Sequence, residues 1–231
     1  MDGFPILSLM LAVPAVAAVA CLFLSPNGAR WTALIATLID FVLGIVLWAG
    51  FKIGGPQWQY VEAHPHSFGL FGWSLGIDGI ALLLIMLSVF LMPICIGASW
   101  EAIQKRVPEY MAAFMLTEVL MIGTFAAQDI FLFYVFFEAG LIPMYLIIGI
   151  WGGVNRIYAS YKFFLYTLLG SLLMLVAILW MTLTTGTSDI PTLMAHNFPV
   201  GAQYWLWLAF FASFAVKMPM WPVHTLSLIH I

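Results

Sequence analysis

The chain has 231 residues, 64% of them hydrophobic and 7% charged, with a formal net charge of -3 and a mean hydropathy of +1.07. Soluble domains carry roughly 25% charged residues, so this composition excludes an ordinary soluble globular fold and indicates a polytopic membrane protein. The small net charge, without a charge run or basic stripe, leaves no footprint for nucleic acid. Cys21 and Cys95 both fall in apolar runs without CxxC or histidine spacing, which gives no basis for a disulfide or a metal site.

A helix needs about 20 apolar residues to cross the hydrocarbon core. The apolar runs predict about seven spans, near residues 5–24, 29–50, 78–98, 109–127, 130–150, 163–185 and 203–225. The first is preceded by Met1 to Phe4, which holds Asp2 and no Lys or Arg. It lacks the basic n-region of a cleavable signal peptide and reads as a retained span. Arg30 lies in the first connection, Lys105 and Arg106 in the third, and Arg156 and Lys162 in the fifth, whereas the second, fourth and sixth hold only Lys52. By the positive-inside rule the odd connections are cytoplasmic and the N-terminus is outside.

The second connection, residues 51–77, contains GGPQWQYVEAHPHSFGLFGWSLG. Its aromatics and glycines suggest an external segment lying along the interface, with His64 and His66 as solvated loop histidines rather than metal ligands. No internal repeat of roughly 20 to 50 residues and no low-complexity tract is visible. The chain is therefore one domain or part of one.

An ionisable group inside a span costs from about 2.5 to more than 10 kcal/mol, so it faces a partner or water, and function is its default reading. Asp78 and Asp129 stand at span beginnings, where a carboxylate caps a helix N-terminus. Asp40, Glu118, Glu138 and Lys217 lie within spans. Asp40 and Glu118 read first as structural carboxylates bonded to Ser, Thr or Tyr of a neighbouring helix, with a functional role left open. Around Lys217 the sequence is FAVKMPMWPVHT, and Pro219 and Pro222 each lack a backbone donor, so the seventh helix is expected to break there. Broken helices at membrane depth occur where freed backbone is buried in protein or lines a wet cavity, the setting in which transporters hold ions. The plainer alternative is a proline kink with the lysine snorkelling outward. Pro143, five residues after Glu138, is expected to loosen the fifth helix. Burial disfavours a charged lysine and a carboxylate within about 4 to 6 Å favours it. A Glu138/Lys217 pair that closes and separates is thus a switchable proton site.

The strings LGIDGIALLLIMLSVFLMPICIGASW, FLFYVFFEAGLIPMYLIIGIWGG, YKFFLYTLLGSLLML and FAVKMPMWPVHT resemble chain M of the proton-translocating NADH:quinone oxidoreductase, respiratory complex I. The resemblance runs from about residue 69 to 225, with a looser fit before it. It implies that Glu138 and Lys217 are the proton-pumping pair and that His224 is a relay. It further implies an all-α transmembrane bundle forming the first, incomplete half of an antiporter-like fold with inverted repeats. Residues 1–107 would be helices 1–3 with the 51–77 loop, and residues 108–225 the incomplete first repeat. The terminal LSLIHI matches the translation of a transposase sequencing adapter, so 226–231 is expected to be foreign and the chain a fragment.

No Cys cluster or glycine-rich nucleotide loop is present to hold a cofactor. The resemblance assigns NAD, FMN, iron-sulfur clusters and quinone to partner subunits, with sister antiporter-like chains as neighbours. It implies a bacterial inner membrane or, alternatively, a mitochondrial inner membrane. The rival readings are a homologous subunit of a multisubunit cation/proton antiporter or membrane-bound hydrogenase, and a non-transporting scaffold whose buried charges only pair helices.

Overall fold

The structure is a computed structural model that describes residues 4–68, 71–218 and 220–221, with side chains described outside 64–71. The helices group into two compact units, residues 1–64 with 73–128, and residues 65–72 with 129–231.

The first unit contains α1 (Ile6–Phe23), α2 (Pro26–Gly50), α3 (Gly79–Ala102) and α4 (Val107–Ala126). Helix α1 packs on α2 and α4, α2 also packs on α3 and α4, and α3 packs on α4. Small residues line the buried faces, including Ala17 and Ala18 of α1 and Ala29, Ala33, Ala36 and Gly44 of α2. Val16, Val19, Ile35, Val42, Leu83 and Leu87 face outward. That arrangement suits lipid, because helix association there relies on close backbone approach rather than on hiding leucine from water. Ser25 caps α2 through Gly28 N–H, with Pro26 in the first helical turn, where its missing donor is harmless.

Arg30 is buried and ties two helix connections together. Its guanidinium donates to the Ile103 carbonyl at 2.9 Å, to Gln104 Oε1 at 3.3 Å and to Asn27 Oδ1 at 3.1 Å. The first and third connections therefore lie at one end of this unit, as their shared basic character implied.

Residues 51–77, expected only as an external segment lying along the interface, contain regular structure. They form a two-stranded sheet of β1 (Gln59–Phe68) and β2 (Phe71–Ile77). Tyr, Val, Phe and Trp favour strands, and pairing satisfies backbone groups that an apolar boundary would leave orphaned. The strand residue Glu62 reaches α1, accepting Leu7 N–H at 2.8 Å, Ser8 N–H at 3.0 Å and the Ser8 hydroxyl. Helix α1 has Pro5 at its N-cap and no side-chain cap of its own, so a distant carboxylate meets its exposed amides and positive end.

The second unit contains α5 (Ile130–Ala139), α6 (Leu141–Trp151), α7 (Arg156–Thr185), α8 (Ile190–Ala195) and α9 (Val200–Lys217). The expected fifth span is divided at Gly140 into α5 and α6, three residues before Pro143, which offers no N–H to the Ala139 carbonyl. Helix α7 starts seven residues before the expected span. Arg156 and Lys162 therefore ride on its first turns, where the Lys162 ammonium lies 5.9 Å from the Tyr158 ring centroid. Such long cationic side chains reach the interface from within a helix.

Among the described residues, six helical stretches are long and apolar enough to cross a membrane, α5 and α6 together forming one of them. The expected seventh span corresponds to α9, which is 18 residues long and is not among the six. Pro219, Pro222, His224 and residues 226–231 lie outside the described residues. On the described side, α9 closes with Met218 N–H on the Phe214 carbonyl at 2.8 Å and Met220 N–H on the Ala215 carbonyl at 3.0 Å. The His64 and His66 side chains also lie outside the described set.

Candidate functional site

The second unit is built around Ile130, Tyr134, Met174, Ile178 and Leu193, with Phe133 and Phe137 packed against them. Asp129 fixes the start of α5. Its Oδ1 accepts Phe131 and Leu132 N–H, both at 2.9 Å, and its Oδ2 accepts Gly72 N–H at 2.9 Å and the Ser188 hydroxyl. The expected cap is present, and it also ties in β2 and the connection before α8. Asp78 caps α3 through Ala81 N–H at 2.7 Å.

From that anchor, two turns of α5 deliver Glu138 one residue before the helix ends at Ala139. Lys217 is brought to the same place by α9, which packs along α7. The approach is close at Gly170, where an added Cβ would lie 3.0 Å from Val216 Cγ2. Lys217 is the last residue of α9, not mid-helix as the span estimate implied, and a helix C-terminus favours a cation.

The Lys217 Nζ lies 3.8 Å from Glu138 Oε2. It donates to the Phe137 carbonyl at 3.1 Å and sits 3.3 Å from the Phe137 ring centroid, where the ring face attracts a cation. Phe137 is held by Phe133, stacked with ring centroids 5.4 Å apart, and by the edge of Phe214 at 5.9 Å. The side chains of Lys217 and Glu138 are 21% and 15% exposed, so the pair is largely but not wholly withdrawn from solvent. Neither Glu138 oxygen makes a hydrogen bond among the described residues. Tyr134 and Ser171 border this carboxyl, and the Ser171 hydroxyl is engaged by the Thr167 and Leu168 carbonyls.

The ammonium is thus shared between a carboxylate, a carbonyl and a ring, with the carboxylate beyond direct hydrogen-bond distance. Glu138 and Lys217, singled out by the sequence, are brought within 3.8 Å of each other, while Phe137, whose carbonyl and ring hold the ammonium, was not singled out. The only signal for it was its position beside the intramembrane glutamate.

Asp40 and Glu118 do not meet the expectation of hydroxyl partners. Both are 0% exposed, and their four oxygens make no hydrogen bond among the described residues. Nearby hydroxyls turn to their own helix instead: Thr37 donates to the Leu34 carbonyl and Thr117 to that of Ala113, the usual competition within a helix.

Two family models match in succession: "NADH-ubiquinone oxidoreductase chain 4, amino terminus" over residues 7–127 and "NADH:quinone oxidoreductase/Mrp antiporter, TM" over residues 127–226. Their junction falls within two residues of the boundary between the compact units. The chain is 54% identical over 212 residues to NADH-quinone oxidoreductase subunit M of Rhodobacter capsulatus, covering 86% of this chain and 41% of that one. It is 46% identical over 223 residues to NADH-ubiquinone oxidoreductase chain 4 of Arabidopsis thaliana, covering 94% and 45%. A chain of respiratory complex I from Thermus thermophilus with bound NADH superposes with TM-score 0.81 at 32% identity, over 95% of this chain and 45% of that one. A chain of the Mrp complex from Dietzia sp. DQ12-45-1b shares the fold, with TM-score 0.78 at 18% identity, over 91% and 23%. The chain spans less than half the length of these relatives, and it belongs to the NADH-ubiquinone oxidoreductase chain 4 family, the antiporter-like subunit M proteins of complex I.

Proposed function

We propose that this chain is part of a proton-translocating membrane subunit of NADH:quinone oxidoreductase, in which Glu138 and Lys217 form the switchable proton site. The observation that carries the reading is the 3.8 Å approach of Lys217 Nζ to Glu138 Oε2, between residues far apart in sequence and beside the break at Gly140. With the pair closed, the carboxylate holds the proton on Lys217. When it opens, the lysine loses its counter-charge and passes a proton to internal water, with His224 as the next relay. Quinone reduction and the NAD, FMN and iron-sulfur chemistry belong to partner subunits. Sister antiporter-like chains are the neighbours in the membrane.

The repeat boundary lies at residue 107, with residues 108–225 belonging to the first antiporter-like repeat. The protein sits in a bacterial inner membrane with its N-terminus outside, in keeping with Arg30, Lys105 and Arg106 at one end of the first unit.

The test places Glu138→Gln and Lys217→Ala in the full-length chain within the assembled complex. Each is expected to abolish or severely reduce NADH-driven acidification of inverted membrane vesicles while subunit content stays normal. Acidification at the normal rate in either variant would overturn the reading.

A further inference from the structure

In the first unit, one layer of the α1–α4 core is ionisable. The buried stripe of α2 runs through Ala33, Thr37, Asp40, Gly44 and Leu47, and that of α4 through Met111, Met115, Glu118, Ile122 and Ala126. These spacings of three and four keep each stripe on one helix face. The Arg30 bond to the 103–104 backbone and side chain fixes the level of the two helices. At about 1.5 Å per residue, Asp40 stands roughly 15 Å beyond Arg30 along α2 and Glu118 roughly 16 Å from the start of α4, within about one turn of each other. Helix α2 packs on α4, and the two carboxyl groups lie within electrostatic reach.

Both side chains are 0% exposed, and all four oxygens lack a hydrogen-bond partner among the described residues. The titratable groups on the surrounding helices lie toward the other end: Cys21 at the close of α1, Cys95 and Glu101 in the last turns of α3, Arg30 in the first turns of α2, and Glu109 and Tyr110 at the start of α4. Asp40 and Glu118 therefore share one layer of the core, with no cationic side chain of these helices at that level among the described residues. Two like carboxylates in such a place cannot both remain ionised, and a buried acceptor without a donor is costly.

We propose that Asp40 and Glu118 together form a second proton-binding site, holding at least one exchangeable proton at neutral pH. A proton taken from water adds an O–H to one carboxyl and reduces the negative charge of the pair from two to one. The proton returns to water on release. The two groups titrate as a unit rather than as independent acids. An intramembrane carboxyl whose partner is another carboxyl is suited to storing a proton, not to pairing helices.

Infrared spectroscopy on the full-length chain in the assembled complex tests this without relying on turnover. The expected result is a protonated-carboxyl band at neutral pH that shifts on transfer to D₂O and disappears in Asp40→Asn/Glu118→Gln. Each single isosteric variant, Asp40→Asn or Glu118→Gln, is expected to diminish the same band, which decides the matter if the double variant fails to assemble. A band unchanged by these substitutions would overturn the proposal. So would a band that does not respond to D₂O, or one that vanishes when sodium is added, which would mark a metal-cation site instead.

Discussion

Replacing Lys217 by arginine separates a proton carrier from a helix-pairing charge. At 3.8 Å, and with an effective dielectric constant of about 20, the attraction between the ammonium and Glu138 is about 4 kcal/mol. Arginine preserves a charge of the same sign, so a scaffold pair survives the change largely intact. Release of a proton does not survive it, because the ordinary arginine value lies at least about 2 pH units above that of lysine, a penalty of about 2.7 kcal/mol or roughly 100-fold. That penalty exceeds the roughly 2.3 kcal/mol needed to move one charge against 100 mV. Glu138→Asp is the complementary change. Withdrawing the carboxylate by one bond, about 1.5 Å, lowers the attraction to about 3 kcal/mol, so pumping falls several-fold but persists. The assay is dye-monitored acidification of inverted vesicles per NADH oxidised, with subunit content as the assembly control. If Lys217→Arg pumped at the normal rate, Lys217 would not be the group that releases the proton.

Asp129→Ala removes the acceptor for Phe131, Leu132 and Gly72 N–H and the Ser188 hydroxyl. A loss of about 3 kcal/mol is expected, read as a lower thermal midpoint of the complex in detergent, with Asp129→Asn recovering part of it. Gly170→Ala forces a shift of tenths of an ångström against Val216, whereas Gly170→Leu displaces α9 and carries Lys217 away. Pumping is expected to survive the first and fail in the second, with subunit content as the control. For topology, Gln57→Cys and Ala102→Cys are placed in a full-length chain lacking Cys21 and Cys95. An impermeant thiol reagent is expected to label position 57 in intact cells and position 102 only after permeabilisation.

The first four spans were legible because lipid selects long apolar runs regardless of tertiary context. The Asp129 cap was also legible, since its position just ahead of a span is local information. Its bonds to Gly72 and Ser188 were not, because they join segments more than fifty residues away. The hairpin of residues 59–77 stayed hidden for a similar reason. Its alternation is interrupted by Pro65 and several glycines, and part of its support comes from the non-local Glu62 contact with α1. The break at Gly140 had a visible cause in Pro143, though not a visible position. Glu138 and Lys217 stood out by the cost of their charge in lipid, while the role of Phe137 depended on the fold. The reading of Asp40 and Glu118 failed because serine and threonine hydroxyls in a helix have a partner on the preceding turn, so their presence nearby promises nothing to a carboxylate.

Glu62 also gives the fold a temporal order. The first helix reaches the membrane before the strand that meets its opening amides has been synthesised, and the nearest of these contacts closes a gap of 54 residues. Until then the amides of Leu7 and Ser8 depend on water or headgroups, and α1 frays more readily at its start. Closing so distant a contact is slow compared with forming a helix turn. The start of α1 is therefore capped late in biogenesis, when the hairpin arrives, and the extramembrane segment acts as a latch on a helix that was inserted well before it.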